Sequence, residues 1–118
     1  MSVVYEAYNR SSLKQPPRTD FIGKWRVEYL AFSAPENAHK VPLIVLGGAF
    51  QNFNSYKYCV ERILQEVPVI LVDLPSLGNN DQLAPQLGME DLADLLFLWT
   101  EKMALKKVSL MGLSLGSV

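Results

Sequence analysis

From Lys24 to Phe32 (KWRVEYLAF), Trp25, Val27 and Tyr29 alternate with Arg26 and Glu28. A period of two predicts a strand with one wet face, suited to an edge or near-edge position. Ser2 to Tyr8 is a shorter strand candidate, and Asn9 to Asp20, with Pro16-Pro17 and several polar residues, reads as the connection between the two. An antiparallel pair is therefore expected at the start of the chain. After a polar loop, Ala34 to Lys40, the character changes: Val41 to Leu46 (VPLIVL) is apolar at nearly every position. Continuous apolar strands belong to a sheet covered on both faces.

Tyr56, Cys59, Val60, Ile63 and Leu64 then fall at i, i+3, i+4, i+7 and i+8, the spacing of one helical stripe, with Asn54 or Ser55 placed to cap it. Val67 to Val72 (VPVILV) repeats the apolar strand pattern and runs into Asp73-Leu74-Pro75 and a Gly- and Asn-rich loop, Ser76 to Gln82. A second stripe places Leu92, Leu95, Leu96, Trp99 and Met103 on one face, with Glu90 and Asp91 early and Lys106-Lys107 late, as the helix dipole favours. Val108 to Met111 (VSLM) reads as a third buried strand. Strand, helix, strand, helix, strand with short connections builds a parallel sheet through right-handed crossovers. The expected fold class is thus α/β, with a mainly parallel sheet and helices on both faces. Ligands of such sheets bind beyond the carboxyl ends of the strands, which directs attention to Gly47 to Asn54, Asp73 to Asn80, and Gly112 onward.

Composition narrows the field without changing that picture. The 118 residues are 49% hydrophobic and 19% charged, with 11 basic against 12 acidic residues, which fits about one globular domain. The basic residues are scattered, so there is no stripe for nucleic acid or anionic lipid. No apolar run approaches the roughly 18 residues of a membrane span, and no signal peptide is legible at the N-terminus. The single cysteine, Cys59, excludes an internal disulfide and a Cys-based metal site, making a reducing, cytoplasmic setting the simplest expectation. Nothing in the pattern asks for a metal or an organic cofactor.

The sharpest chemical signal is Gly112-Leu113-Ser114-Leu115-Gly116, a G-x-S-x-G pattern directly after a predicted buried strand. A serine lifted clear of a sheet sits on a tight strand-to-helix turn, and the flanking Gly112 and Gly116 allow backbone to approach where a Cβ would collide. With this motif in this context the sequence resembles the α/β-hydrolase superfamily, whose nucleophile elbow follows the fifth strand. Five strand candidates precede or reach the motif here, at Ser2 to Tyr8, Lys24 to Phe32, Val41 to Leu46, Val67 to Val72 and Val108 to Met111. The likeness covers Val41 to Val118 best. It implies Ser114 as the nucleophile and backbone N–H donors to an oxyanion from Ala49 and Leu115, with Phe50 a neighbouring alternative to Ala49. The family's His-Gly-x stretch is matched by Gly47-Gly48-Ala49, where glycine replaces the histidine but the backbone donor survives. The family's loop after the fourth strand is matched by Asp73-Leu74-Pro75-Ser76-Leu77-Gly78-Asn79-Asn80, departing at Ser76 and Asn80. The stretch from Gly47 to Asn80 is also similar, more distantly, to the 3-(3-hydroxyacyloxy)alkanoate synthases of rhamnolipid biosynthesis, which implies 3-hydroxyacyl thioester substrates.

The remaining candidates read as structural. Asp73 precedes the serine, against the family order of serine, acid, histidine, and is expected to anchor its loop. His39, the only histidine, also lies upstream and reads as a surface residue. Cys59 and Trp99 fall in apolar stripes and read as core. Phe50 and Phe53 could line an acyl pocket or pack against the sheet. A serine hydroxyl needs a base, and the base an acid, yet neither follows Ser114. The expectation is that residues 1–118 are the N-terminal part of a single α/β-hydrolase domain, truncated after the fifth strand and inert alone. Two function classes stay open: a serine-nucleophile enzyme acting on an ester or thioester in its full-length form, acyltransfer from 3-hydroxyacyl thioesters included, or a non-catalytic fragment that pairs with a partner chain through its open sheet edge.

Overall fold

The structure, a computed structural model, describes residues 2–9, 11–46, 56–75 and 87–112. Five strands form one sheet: β1 (Arg18–Ile22), β2 (Trp25–Phe32), β3 (Leu43–Leu46), β4 (Val69–Asp73) and β5 (Ser109–Gly112), in the spatial order β1-β2-β4-β3-β5. Helix α1 (Lys57–Ile63) links β3 to β4, and α2 (Met89–Lys102) links β4 to β5. β3 runs parallel to both β4 and β5, while β2 is antiparallel to β1 and to β4. The sheet is therefore mixed, and the expectation of a mainly parallel one is corrected. The reason lies in the connections. Parallel neighbours need a crossover segment, and the first two links have none: Gly23-Lys24 turns β1 into β2, and residues 33–42, with one 3-10 turn at Pro35–Asn37, return the chain to β3.

The alternation of side chains along the strands sorts the core into two layers. Val27, Tyr29, Ala31, Ile44, Leu46, Ile70 and Val72 face α2, where Leu92, Leu95, Leu96, Trp99 and Met103 meet them. Leu30, Phe32, Val45, Val69 and Leu71 point the other way, onto Tyr56, Val60 and Leu64. Both predicted helical stripes are thus the buried stripes, and the helices lie on opposite faces. That placement follows from chirality. β3 to β4 steps in one direction along the sheet and β4 to β5 steps back past β3, so two right-handed crossovers must use opposite faces.

The beginning of the chain departs from the sequence expectation. Ser2 to Tyr8 contributes only a bridge between Glu6 and Phe32, in which the Glu6 N–H donates to the Ala31 carbonyl at 2.9 Å. The edge strand is β1, whose first three residues, Arg18 to Asp20, fall in the segment read as a connection. Gly23, at φ +60°, is the residue that permits the tight turn, and Ile22-Gly23-Lys24 is the hairpin signal that betrays it. β5 departs as well, because it is not buried: Leu110 is 58% exposed and Ser109 lies open. It has β3 on one side and, among the described residues, no strand on the other. The proposed caps of α1, Asn54 and Ser55, lie outside the described residues.

Polar groups tie the layers together. Asn37, 1% exposed, donates from Nδ2 to the Leu64 carbonyl at 2.7 Å, satisfying the carboxyl end of α1. Lys102, at the end of α2, reaches Asp20 of β1 at 2.8 Å and the Phe21 carbonyl at 2.9 Å, clamping the helix to the edge strand. At its start, α2 is closed by the Asp91 carboxylate, which accepts the Gly88 N–H at 2.9 Å. Its end is a Schellman turn in which the Leu105 N–H donates to Thr100 and the Ala104 N–H to Glu101. The residue this turn forces into the left-handed region is Ala104, at φ +58°. Its Cβ costs about 1–2 kcal/mol there, against about 0.5–1 kcal/mol of extra unfolded-chain entropy for glycine. Ala104→Gly is therefore expected to raise stability by about 0.5–1 kcal/mol in urea unfolding, with an unchanged m-value.

Candidate functional site

Register fixes where the strands end. Leu46 of β3 stands opposite Val72 of β4 on one side and Gly112 of β5 on the other. With strands about 4.8 Å apart, the chain leaves the sheet at these three places within about 10 Å. The chain after Leu46 proceeds to α1 on one face, and the chain after Asp73 proceeds to α2 on the other. Adjacent β3 and β4 thus send their connections to opposite faces, and in such sheets this switch point at the carboxyl ends is the usual ligand position. β5 pairs with β3, so the segment beginning at Gly112 starts beside this switch point.

The described residues at these strand ends include Leu46, Asp73, Leu74 and Gly112. Leu46 and Leu74 are buried and belong to the α2 layer. Gly112, the first glycine of the G-x-S-x-G segment, is the last residue of β5 and half-buried. Ser114, Leu115 and Gly116 lie outside the described residues, as do Gly47, Gly48, Ala49, Phe50 and Phe53. The structure thus places the roots of the three segments side by side, while the candidates for nucleophile and oxyanion donors lie outside the described residues.

Asp73 is the ionisable residue among these. It closes β4 at 5% exposure and stands across from Glu28 of β2. Two carboxylates directly opposite repel, and Arg26 offsets this by holding Glu28 with Nε 3.1 Å from its Oε1. The cross-strand Glu28, which the alternation of β2 had assigned simply to a wet face, brings a second carboxylate to this end of the sheet. His39 is at the other end. It is exposed on the loop joining Phe32, which pairs with the first residue of β4, to the start of β3. A connection confined to the amino ends of the parallel strands cannot bring an imidazole to their carboxyl ends.

Cys59 is half-buried in α1 against the layer of Phe32 and Val60, and burial pushes its thiol pKa above the ordinary value. A raised pKa means less thiolate at any given pH, the opposite of what a nucleophilic cysteine requires. Iodoacetamide is expected to modify Cys59 more slowly than free cysteine at pH 8, with the rate still climbing above pH 9; a rate matching free cysteine would place the thiol elsewhere.

No family model and no curated protein matches the sequence. Solved structures do match in fold. The chain is similar to a probable hydrolytic enzyme from Pseudomonas aeruginosa PAO1, with a TM-score of 0.69 at 18% identity, over 93% of this chain and 38% of that one. It is also similar to a probable hydrolase from Rickettsia typhi, with a TM-score of 0.62 at 16% identity, over 85% of this chain and 37% of that one. The five-stranded mixed sheet and its two helices are thus a part of the architecture seen in these structures, and the chain spans less than two-fifths of the length of either.

Proposed function

We propose that this chain is the N-terminal portion of a serine-nucleophile α/β-hydrolase that cleaves or transfers the acyl group of an ester or thioester. The observation that carries the reading is the register Val72–Leu46–Gly112, which sets the start of the G-x-S-x-G segment beside the carboxyl ends of β3 and β4. The likeness to parts of two probable hydrolases supports it.

In this reading Ser114 Oγ attacks the acyl carbon, and the N–H groups of Ala49 and Leu115 take the negative charge that develops on the carbonyl oxygen. The alcohol or thiol leaves with a proton delivered by a histidine, and water or a second acceptor then releases the acyl group from Ser114. A histidine base and its orienting acid are not among the described residues at this end of the sheet: His39 is at the opposite end, and Asp73 is held within β4 opposite Glu28. A cytoplasmic setting remains part of the proposal.

A fluorophosphonate probe applied to the native gene product in its source extract tests this. Covalent modification is expected on the peptide containing Ser114. Modification elsewhere in the protein, or none, would sink the reading.

A further inference from the structure

The tip of the β1–β2 hairpin overhangs the carboxyl end of β4. Glu28 stands opposite Asp73, the last residue of β4, so Trp25 and the turn before it lie beyond that strand. Ile22 and Trp25 pack toward the α2 face, as does Leu87 just ahead of the helix. Between the hairpin tip and the first turns of α2 is a hollow of about 330 Å³ whose apolar lining is Ile22, Trp25, Leu87, Leu95 and Leu98. Small-molecule sites combine such a lining with a few polar groups, and this volume is at the lower end of their range.

The ionisable groups that line the hollow carry one sign. Asp91 and Asp94 both border it, one turn apart on α2, and like charges at that spacing destabilise a helix. Asp91 has a local use, accepting the Gly88 N–H at 2.9 Å. Asp94 has none: among the described residues no cation and no hydrogen-bond donor reaches it. Lys24, next to Trp25 in the chain, places its ammonium 4.7 Å from the Trp25 ring centroid, and Lys102 is engaged by Asp20. Asp94 also lies in the second turn of α2, past the helix end at which the dipole favours a negative charge. A carboxylate without a counter-charge at the mouth of an aromatic-walled hollow is complementary to a cation with an apolar body. We infer that the hollow binds a small organic cation, its ammonium head against Asp94 and its aromatic or branched apolar body against Trp25, Leu95 and Leu98. The indole ring adds to the attraction, because its π-face favours an ammonium over a neutral group. None of these residues has a part in the chemistry proposed for Ser114, so the two assignments stand or fall separately.

Ligand-observed NMR titration of the purified native gene product tests the site with three probes of one shape, 2-phenylethylammonium, 2-phenylethanol and phenylacetate. The ammonium is expected to bind saturably at about 1 mM, at least about fivefold more tightly than the alcohol, with the carboxylate weakest. Asp94→Asn should bring ammonium and alcohol within about twofold of each other. Leu98→Lys should abolish ammonium binding, since the new side chain stands four residues from Asp94 and supplies the counter-charge itself. Asp94 is exposed and Leu98 is 49% exposed, so both replacements leave the core intact. No saturable binding of the ammonium, or equal binding of ammonium and alcohol, would overturn the proposal. So would a preference for the ammonium that survives Asp94→Asn, which places the cation elsewhere. Ser114→Ala should leave the ammonium affinity unchanged, and its loss in that variant would move the binding to the strand-end site and overturn the assignment to this hollow.

Discussion

Ser114→Ala in the native gene product is expected to reduce acyl-ester or thioester turnover by at least about 10⁴-fold, since nucleophile and base act as a unit and removing either loses most of their joint effect. KM should change little, because the hydroxyl adds nothing to substrate binding beyond one small polar contact, and the loss should fall on kcat. The residual rate would come from the oxyanion donors and from binding. Stability should be unaffected or slightly raised, as commonly happens when a catalytic side chain is replaced. The measurement is a comparison of kcat and thermal midpoint for the two proteins on a short-chain acyl thioester and a p-nitrophenyl ester. A Ser114→Ala protein that retains a tenth of the activity on both would end the nucleophile assignment, whatever the fluorophosphonate result.

How much of this was legible in the sequence depends on whether a residue's environment is set locally. The stripe Leu92, Leu95, Leu96, Trp99 and Met103 is buried as its spacing predicts, because a 14-residue amphipathic helix can bury only one face. The strands Leu43–Leu46 and Val69–Asp73 also fell where the apolar runs put them, and helices do cover both faces. The edges were harder. In β1, the sequence Arg-Thr-Asp-Phe-Ile has weak alternation and follows two prolines, and its strand character comes from pairing with β2 across the Gly23 turn. Val108 to Met111 looks buried by composition, yet burial is decided by what lies beside the strand, and no period in four residues encodes that. Sheet direction was read in part: an antiparallel pair is expected at the start of the chain, but β2 is antiparallel to β4 as well, because the two helix-free connections there supply no crossover, although the later alternation reads as parallel. For the site, the positions of the three strand ends were legible from the βα alternation. The residues named to do chemistry, Ser114, Ala49 and Leu115, rest on the motif and the resemblance.

Trp99 provides the largest expected effect on folding. It is fully buried between α2 and the sheet, with its ring centroid 5.2 Å from that of Tyr29 at 57°, in the layer shared with Ile44 and Ile70. Trp99→Ala removes those contacts and leaves a cavity, costing about 3–5 kcal/mol. A domain holds only about 5–15 kcal/mol in total, so this variant should be largely unfolded at 37 °C. The indole carries a complication that makes a second variant informative. Its Nε1 is buried without an acceptor among the described residues, and an unpaired buried donor costs about 1–3 kcal/mol. Trp99→Phe keeps an aromatic ring against Tyr29 and discards that donor, so the volume lost and the polar penalty removed oppose each other. Its stability should lie within about 1 kcal/mol of the parent. Urea unfolding followed by far-UV circular dichroism distinguishes the cases without relying on the fluorophore being replaced. Should Trp99→Phe fall as far as Trp99→Ala, the indole N–H must have a partner worth keeping, and the packing account given for this layer would have to be revised.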